Sequence, residues 1–149
     1  MFSHLIINVN ELYTNTLAHK RKRIIMTTTD LSLEKIYNLA IKTLKHNGCD
    51  ELNAEAVANT VTNAERDGSV SHGLFRIPGY VAALKSKKVK GNARPTNNFL
   101  TQNAIRVEGD YGFAPTAIGV GIPALVDVTK KHGVGVLTIT NTHHFAALW

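Results

Sequence analysis

The sequence predicts an α/β fold in which an N-terminal helical hairpin precedes the start of a mixed sheet-and-helix unit. Two observations carry that expectation. Between residues 33 and 64 the apolar side chains recur in steps of three and four, the spacing of a helix face. Beyond residue 104 a short β-branched segment, a Gly-rich turn, a long apolar stretch and a second β-branched segment follow one another, as in a strand–helix–strand unit. The 149 residues are 44% hydrophobic and 19% charged, a globular composition. A chain of that size buries roughly 70% of its unfolded surface. No apolar run reaches the ~20 residues of a membrane span. Cys49 is the only cysteine, which excludes an internal disulfide and points to a reducing, cytoplasmic setting.

Ser32 is placed to cap a first helix whose inner face carries Leu33, Ile36, Leu39, Ala40 and Leu44. Asn47-Gly48 supplies its left-handed stop. Asp50 or Asn53 caps a second helix with Ala54, Val57, Ala58, Val61 and Ala64 on one face and Gly68 at its end. A turn or short helical piece is expected over residues 72–77. A helix to Leu84 follows, because Pro78 is tolerated only near a helix start. The basic run and Asn92, Pro95, Asn97 and Asn98 read as a loop, and residues 104–108 as a strand. A Gly-rich turn over residues 109–113 leads to a helix over about 116–132, kinked at Pro123 and ended by Gly133. Residues 134–140 read as a buried strand.

The net charge of +6 is concentrated in two short runs. Lys20, Arg21, Lys22 and Arg23 stand against Glu11 in residues 1–25, and Lys85, Lys87, Lys88, Lys90 and Arg94 have no acid among them. The rest of the chain carries 8 basic and 10 acidic side chains. A basic nucleic-acid-binding module is one reading of these runs, although they lack interleaved aromatic residues. A solvated tail and a solvated loop are the other. Residues 1–25 are accordingly read as a basic tail that need not belong to the fold, with the folded domain starting near Met26.

Three constellations bear on chemistry. Gly119-Val120-Gly121-Ile122-Pro123-Ala124 matches a dinucleotide fingerprint only formally: it falls inside the predicted helix and has no acid downstream of Asp127. His72, Arg76 and Tyr80 are each four apart and would share a face of a continuous helix. That trio suits an anionic substrate, with an arginine to hold a carboxylate, a histidine to move a proton and a phenol to direct a hydrogen bond. His143-His144 follows the last predicted strand, where ligands gather in α/β sheets. Adjacent histidines diverge, and no carboxylate stands nearby, so no metal site is expected and one histidine is a candidate to face a cofactor or substrate.

From about Leu31 to Trp149 the chain resembles the malate/L-lactate dehydrogenase-type oxidoreductases, which bind NAD(P) without a Rossmann fold. The resemblance rests on Arg66-Asp67-Gly68, on Ser71-His72-Gly73-Leu74-Phe75-Arg76-Ile77-Pro78-Gly79-Tyr80, on Gly112-Phe113-Ala114 and on His143-His144-Phe145-Ala146-Ala147-Leu148-Trp149. The two long motifs look closest to the Δ1-piperideine-2-carboxylate/Δ1-pyrroline-2-carboxylate reductase branch. The resemblance implies reduction of a cyclic imino acid to L-pipecolate or L-proline by NADPH or NADH, and a homodimer. His72 would be the acid/base group and Arg76 the carboxylate clamp, with Ser71 and Tyr80 lining the substrate pocket. His144, Thr142 and Phe145 would meet the cofactor. A malate, L-lactate or ureidoglycolate-type 2-hydroxy-acid dehydrogenase is the alternative within the family. The domain reading that follows is residues 26–95 as the helical part of a substrate domain and 96–149 as the beginning of a cofactor-binding domain. Family members are longer, so the chain is read as an N-terminal fragment, expected to be inactive alone.

Overall fold

The computed structural model describes residues 3–6 and 28–143. Strand β1, Ser3–Ile6, pairs antiparallel with β2, Thr28–Leu31. The expected tail therefore includes one paired strand, while Lys20 to Arg23 and Met26 lie outside the described residues. Helix α1, Leu33–His46, starts where expected, with Ser32 Oγ accepting from Lys35 N at 3.3 Å. Ile36, Ala40 and Leu44 are fully buried, but Leu39 is 46% exposed and lies off the inner face. Ile41, one step further round, packs against the core instead. Helix α2, Glu51–Arg66, is capped by Asp50, whose Oδ1 accepts from Asn53 N at 3.1 Å. The α1–α2 hairpin and α3, Ile77–Lys85, enclose the main core, which also takes in Cys49, Val89 and Phe113. Burial, and then the neighbouring Asp50 charge, push the Cys49 thiol up to about 11, making it an inert core group.

The second layer is a three-stranded sheet, ordered β3 (Thr96–Phe99), β4 (Ala104–Glu108), β5 (Val136–Thr140), with α4 (Ala114–His132) against one face. β3 runs antiparallel to β4 and β5 parallel to it. Two expectations change here. Asn97 and Asn98 belong to strand β3 rather than a loop; all four of its residues are exposed, so the strand lacks the apolar alternation that would announce it. β5 is an edge strand among the described residues. Val136, Thr138 and Thr140 are exposed, and only Leu137 and Ile139 are half-buried under α4. The face away from α4 is polar, with Asn98, Arg106 and Thr138 aligned across the three strands.

Helix α4 runs through Pro123 without a break. Pro123 and Gly119, four residues back, are both exposed, so the carbonyl the proline leaves unbonded can meet water. Gly121 lies mid-helix, and a Cβ there would press on Val107 and Leu137 at 2.8–3.0 Å. That glycine serves helix–sheet contact, in agreement with the rejection of the dinucleotide fingerprint.

The two layers are stitched by a buried amide and an ion-pair network. Asn53 Nδ2 donates to Asp50 Oδ1 at 2.8 Å and to Ala93 O at 3.1 Å, while its Oδ1 accepts from Thr116 Oγ1 at 3.0 Å. Asn53→Ala leaves two buried partners unpaired, at ~1–3 kcal/mol each, so a stability loss of roughly 2–6 kcal/mol in urea denaturation is expected.

The basic run is only partly the solvated loop it suggests. Lys90 pairs with Asp110, and Arg94 Nη1 lies 2.6 Å from Asp50 Oδ2; Lys85, Lys87 and Lys88 are exposed. Burial opposes ionisation of Asp50, but the hydrogen bonds from Asn53 and the Arg94 guanidinium outweigh it and hold the carboxyl below its usual value. A depressed carboxylate contributes stability above its unfolded value and loses it as pH falls through the folded one. The protein is therefore expected to lose stability below about pH 4. Asp50→Asn should flatten that acid limb in urea melts run from pH 6 to pH 3.

Candidate active site

The segment from Ser69 to Tyr80 leaves α2 and enters α3 through two single 3-10 turns, Val70–His72 and Leu74–Arg76. Gly73 separates them at φ −85° and ψ −141°, outside the helical region. His72 and Arg76 therefore do not share a continuous helix face, which corrects the spacing argument. Their association comes through Ser71 instead. Its Oγ lies 3.0 Å from His72 Nδ1, and its carbonyl accepts from Arg76 Nε at 2.8 Å. Ser69 Oγ stands 3.3 Å from the same imidazole nitrogen. Each hydroxyl can donate to a bare Nδ1 or accept from a protonated one.

Tyr80, on α3, is only 5% exposed and stacks edge-on against Phe113, ring centroids 5.2 Å apart. Burial pushes its phenol up, and the nearby Arg76 charge acts the other way. Phe113 is fully buried, and its ring also meets that of His143, at 6.3 Å and 67°. His143 N donates to Gly112 O at 2.8 Å, and Ala114 N to His143 O at 3.3 Å. The carboxyl end of β5 is thus docked, through Phe113, onto the helix that carries Tyr80.

Thr142 is half-buried beside this bridge, its methyl closing on Gly109 where a Cβ would overlap it. His144 and Phe145 lie outside the described residues. Among the described residues, no three His, Cys, Asp or Glu side chains come together as metal ligands, and no helix is long and apolar enough to cross a membrane.

Sequence reasoning missed Glu65, Ser69 and Phe113 as supports of the site. Glu65 sits four residues after Val61 on the apolar face of α2, and a carboxylate there is a visible anomaly. Ser69 stands three residues before His72, the reach of a local side-chain hydrogen bond.

A helical hairpin followed by a small open mixed sheet with one helix packed on it makes a mixed α/β fold. Residues 31–149 match the malate/L-lactate dehydrogenase family, and the chain belongs to it. It is 38% identical to Delta(1)-pyrroline-2-carboxylate reductase 1 of Burkholderia ambifaria and 41% identical to the Delta(1)-pyrroline-2-carboxylate reductase of Ancylobacter novellus. Each match covers 119 residues, 80% of this chain and 35% of the relative. The crystal structure of Δ1-piperideine-2-carboxylate reductase from Pseudomonas syringae superposes with a TM-score of 0.76 at 37% identity, covering 80% of this chain and 36% of that one. Malate dehydrogenase from Entamoeba histolytica gives 0.73 at 27% identity, covering 80% and 33%. The chain spans about a third of the length of the relatives it matches.

Proposed function

We propose that this chain carries the acid/base and carboxylate-binding part of an NAD(P)H-dependent reductase of a cyclic imino acid. The substrate is Δ1-piperideine-2-carboxylate or Δ1-pyrroline-2-carboxylate, and the product L-pipecolate or L-proline. The observation that carries the reading is the bridge through Ser71, whose hydroxyl meets His72 and whose carbonyl meets Arg76. The names of the similar curated reductases favour the imine among carboxylate substrates.

Reduction of the C=N bond adds a hydride at C2 and a proton at the ring nitrogen. Reduced nicotinamide, when bound, supplies the hydride. Arg76, with Nε held by Ser71, keeps its Nη1 and Nη2 fork for the substrate carboxylate, which fixes the face that C2 presents. His72, as the imidazolium, delivers a proton to the ring nitrogen and is left as the neutral imidazole. Ser71 and Tyr80 line the pocket, the phenol staying protonated at neutral pH. Thr142, with His144 and Phe145, holds the cofactor ring. In domain terms, residues 26–95 contribute to the substrate side and 96–149 begin the cofactor side. The reading places the protein in the cytoplasm as a homodimer.

The second reading, a 2-hydroxy-acid dehydrogenase, draws on the likeness to malate dehydrogenase, since the same clamp serves a 2-oxo acid. A substrate panel with NADPH and NADH separates the two, using protein made from its complete reading frame. Turnover of the cyclic imines is expected, with Arg76→Ala raising their KM roughly 10- to 100-fold, because hydrogen bonds to charged groups contribute ~1.5–3 kcal/mol. Turnover of 2-oxo acids alone would overturn the imine assignment.

A further inference from the structure

Beneath the His72–Arg76 turn lies a carboxylate that the proposed chemistry does not use. Glu65, in the last turn of α2, is 1% exposed. Its Oε1 accepts from Leu74 N at 2.7 Å. A Cβ at Gly73 would fall 2.0 Å from that same oxygen and 2.4 Å from the carboxyl carbon, so the turn rests on the carboxylate itself. The α2 backbone adds a second tie one turn earlier, with Ser69 N donating to Ala64 O at 2.8 Å. Burying a carboxylate is costly and is offset only when it accepts well-made hydrogen bonds. Here one of those bonds falls between the two turns that present His72 and Arg76.

We infer that Glu65 is the positioning residue of the site: its buried carboxylate holds Leu74 N and sets the position of Gly73, fixing the acid/base imidazole relative to the carboxylate clamp. Glu65 itself does not touch substrate. It acts through the backbone at residues 73 and 74, on which the directions of the two flanking turns depend. Misplacing a reacting group by about 1 Å costs on the order of 10²-fold in rate, so a displaced turn is a catalytic lesion even where the fold survives.

The inference rests on the reading above, and wild-type turnover tests that reading separately. Glu65→Ala and Glu65→Gln are then compared in protein from the complete reading frame, with whichever of the cyclic imine or 2-oxo acid the wild type reduces. Glu65→Ala should lower kcat about 10²-fold and raise the KM of the carboxylate substrate about 10-fold, leaving the KM of the nicotinamide within about twofold. Glu65→Gln, which keeps an oxygen acceptor for Leu74 N, should recover most of both losses. Hydrogen exchange reads the same contact without turnover. In Glu65→Ala the Leu74 amide should exchange about 10²-fold faster while Val61, deep in α2, changes less than about threefold. A merely structural role predicts a kcat that falls only with the folded fraction, with both KM values unchanged. That pattern would overturn the inference, as would unchanged Leu74 exchange. If the wild type reduces neither substrate class, the Leu74 exchange alone decides for or against the role of Glu65.

Discussion

Replacing His72 with alanine lowers kcat by about 10²–10⁴-fold, the contribution of a positioned general acid. That corresponds to roughly 3–5 kcal/mol of barrier. The size of the effect follows from the site's construction. Ser71 and Ser69 both meet Nδ1 and fix the orientation of the imidazole. Without it, the ring nitrogen loses its positioned proton donor. Steady-state assays of reduced-nicotinamide oxidation measure the effect, and cofactor titration by fluorescence should give an unchanged Kd. A kcat within about threefold of wild type would remove His72 from the chemistry.

The second large effect is on stability. Phe113→Ala removes a fully buried ring, for which the expected cost is about 3–5 kcal/mol. Phe113 packs against Tyr80 on α3 and His143 at the end of β5, so its loss opens a cavity where the helical layer meets the sheet layer. Urea denaturation should show the full loss. Phe113→Leu, which refills much of the volume, should restore at least half of it. A cost under about 1 kcal/mol would mean that the Phe113 ring does not hold the two layers together.

Much of this was legible in the chain. Ser32, Asp50 and Gly133 mark helix ends by local chemistry, which needs no tertiary information, and all three act as expected. The strand at residues 104–108 was visible because Ile105 and Val107 alternate with polar neighbours and are buried on one face. Long-range contacts decided what was missed. Leu39 has the right spacing, but the hairpin partner meets α1 on the side of Ile36 and Ile41. β3 is Thr-Asn-Asn-Phe, all exposed, and is held as a strand by pairing with β4 rather than by its own pattern. At the site, His72 and Arg76 are linked by a different route from the one the spacing suggests. A helical face was expected to join His72 to Arg76, whereas Gly73, pressed on Glu65, breaks the helix and Ser71 makes the link. No periodicity reveals a join that runs through one serine's hydroxyl and its carbonyl.

The proposed reaction delivers hydride to C2 of a cyclic imine whose carboxylate is clamped by Arg76 and whose nitrogen is protonated from His72. Isotope transfer tests this most directly, using nicotinamide cofactor deuterated at the transferable position, the unlabelled cyclic imines and protein from the complete reading frame. The product should be L-pipecolate or L-proline with one deuterium at C2, formed at least about 10²-fold more slowly by His72→Ala. Deuterium recovered only in a 2-hydroxy acid, or L-pipecolate formed equally fast without His72, would contradict it.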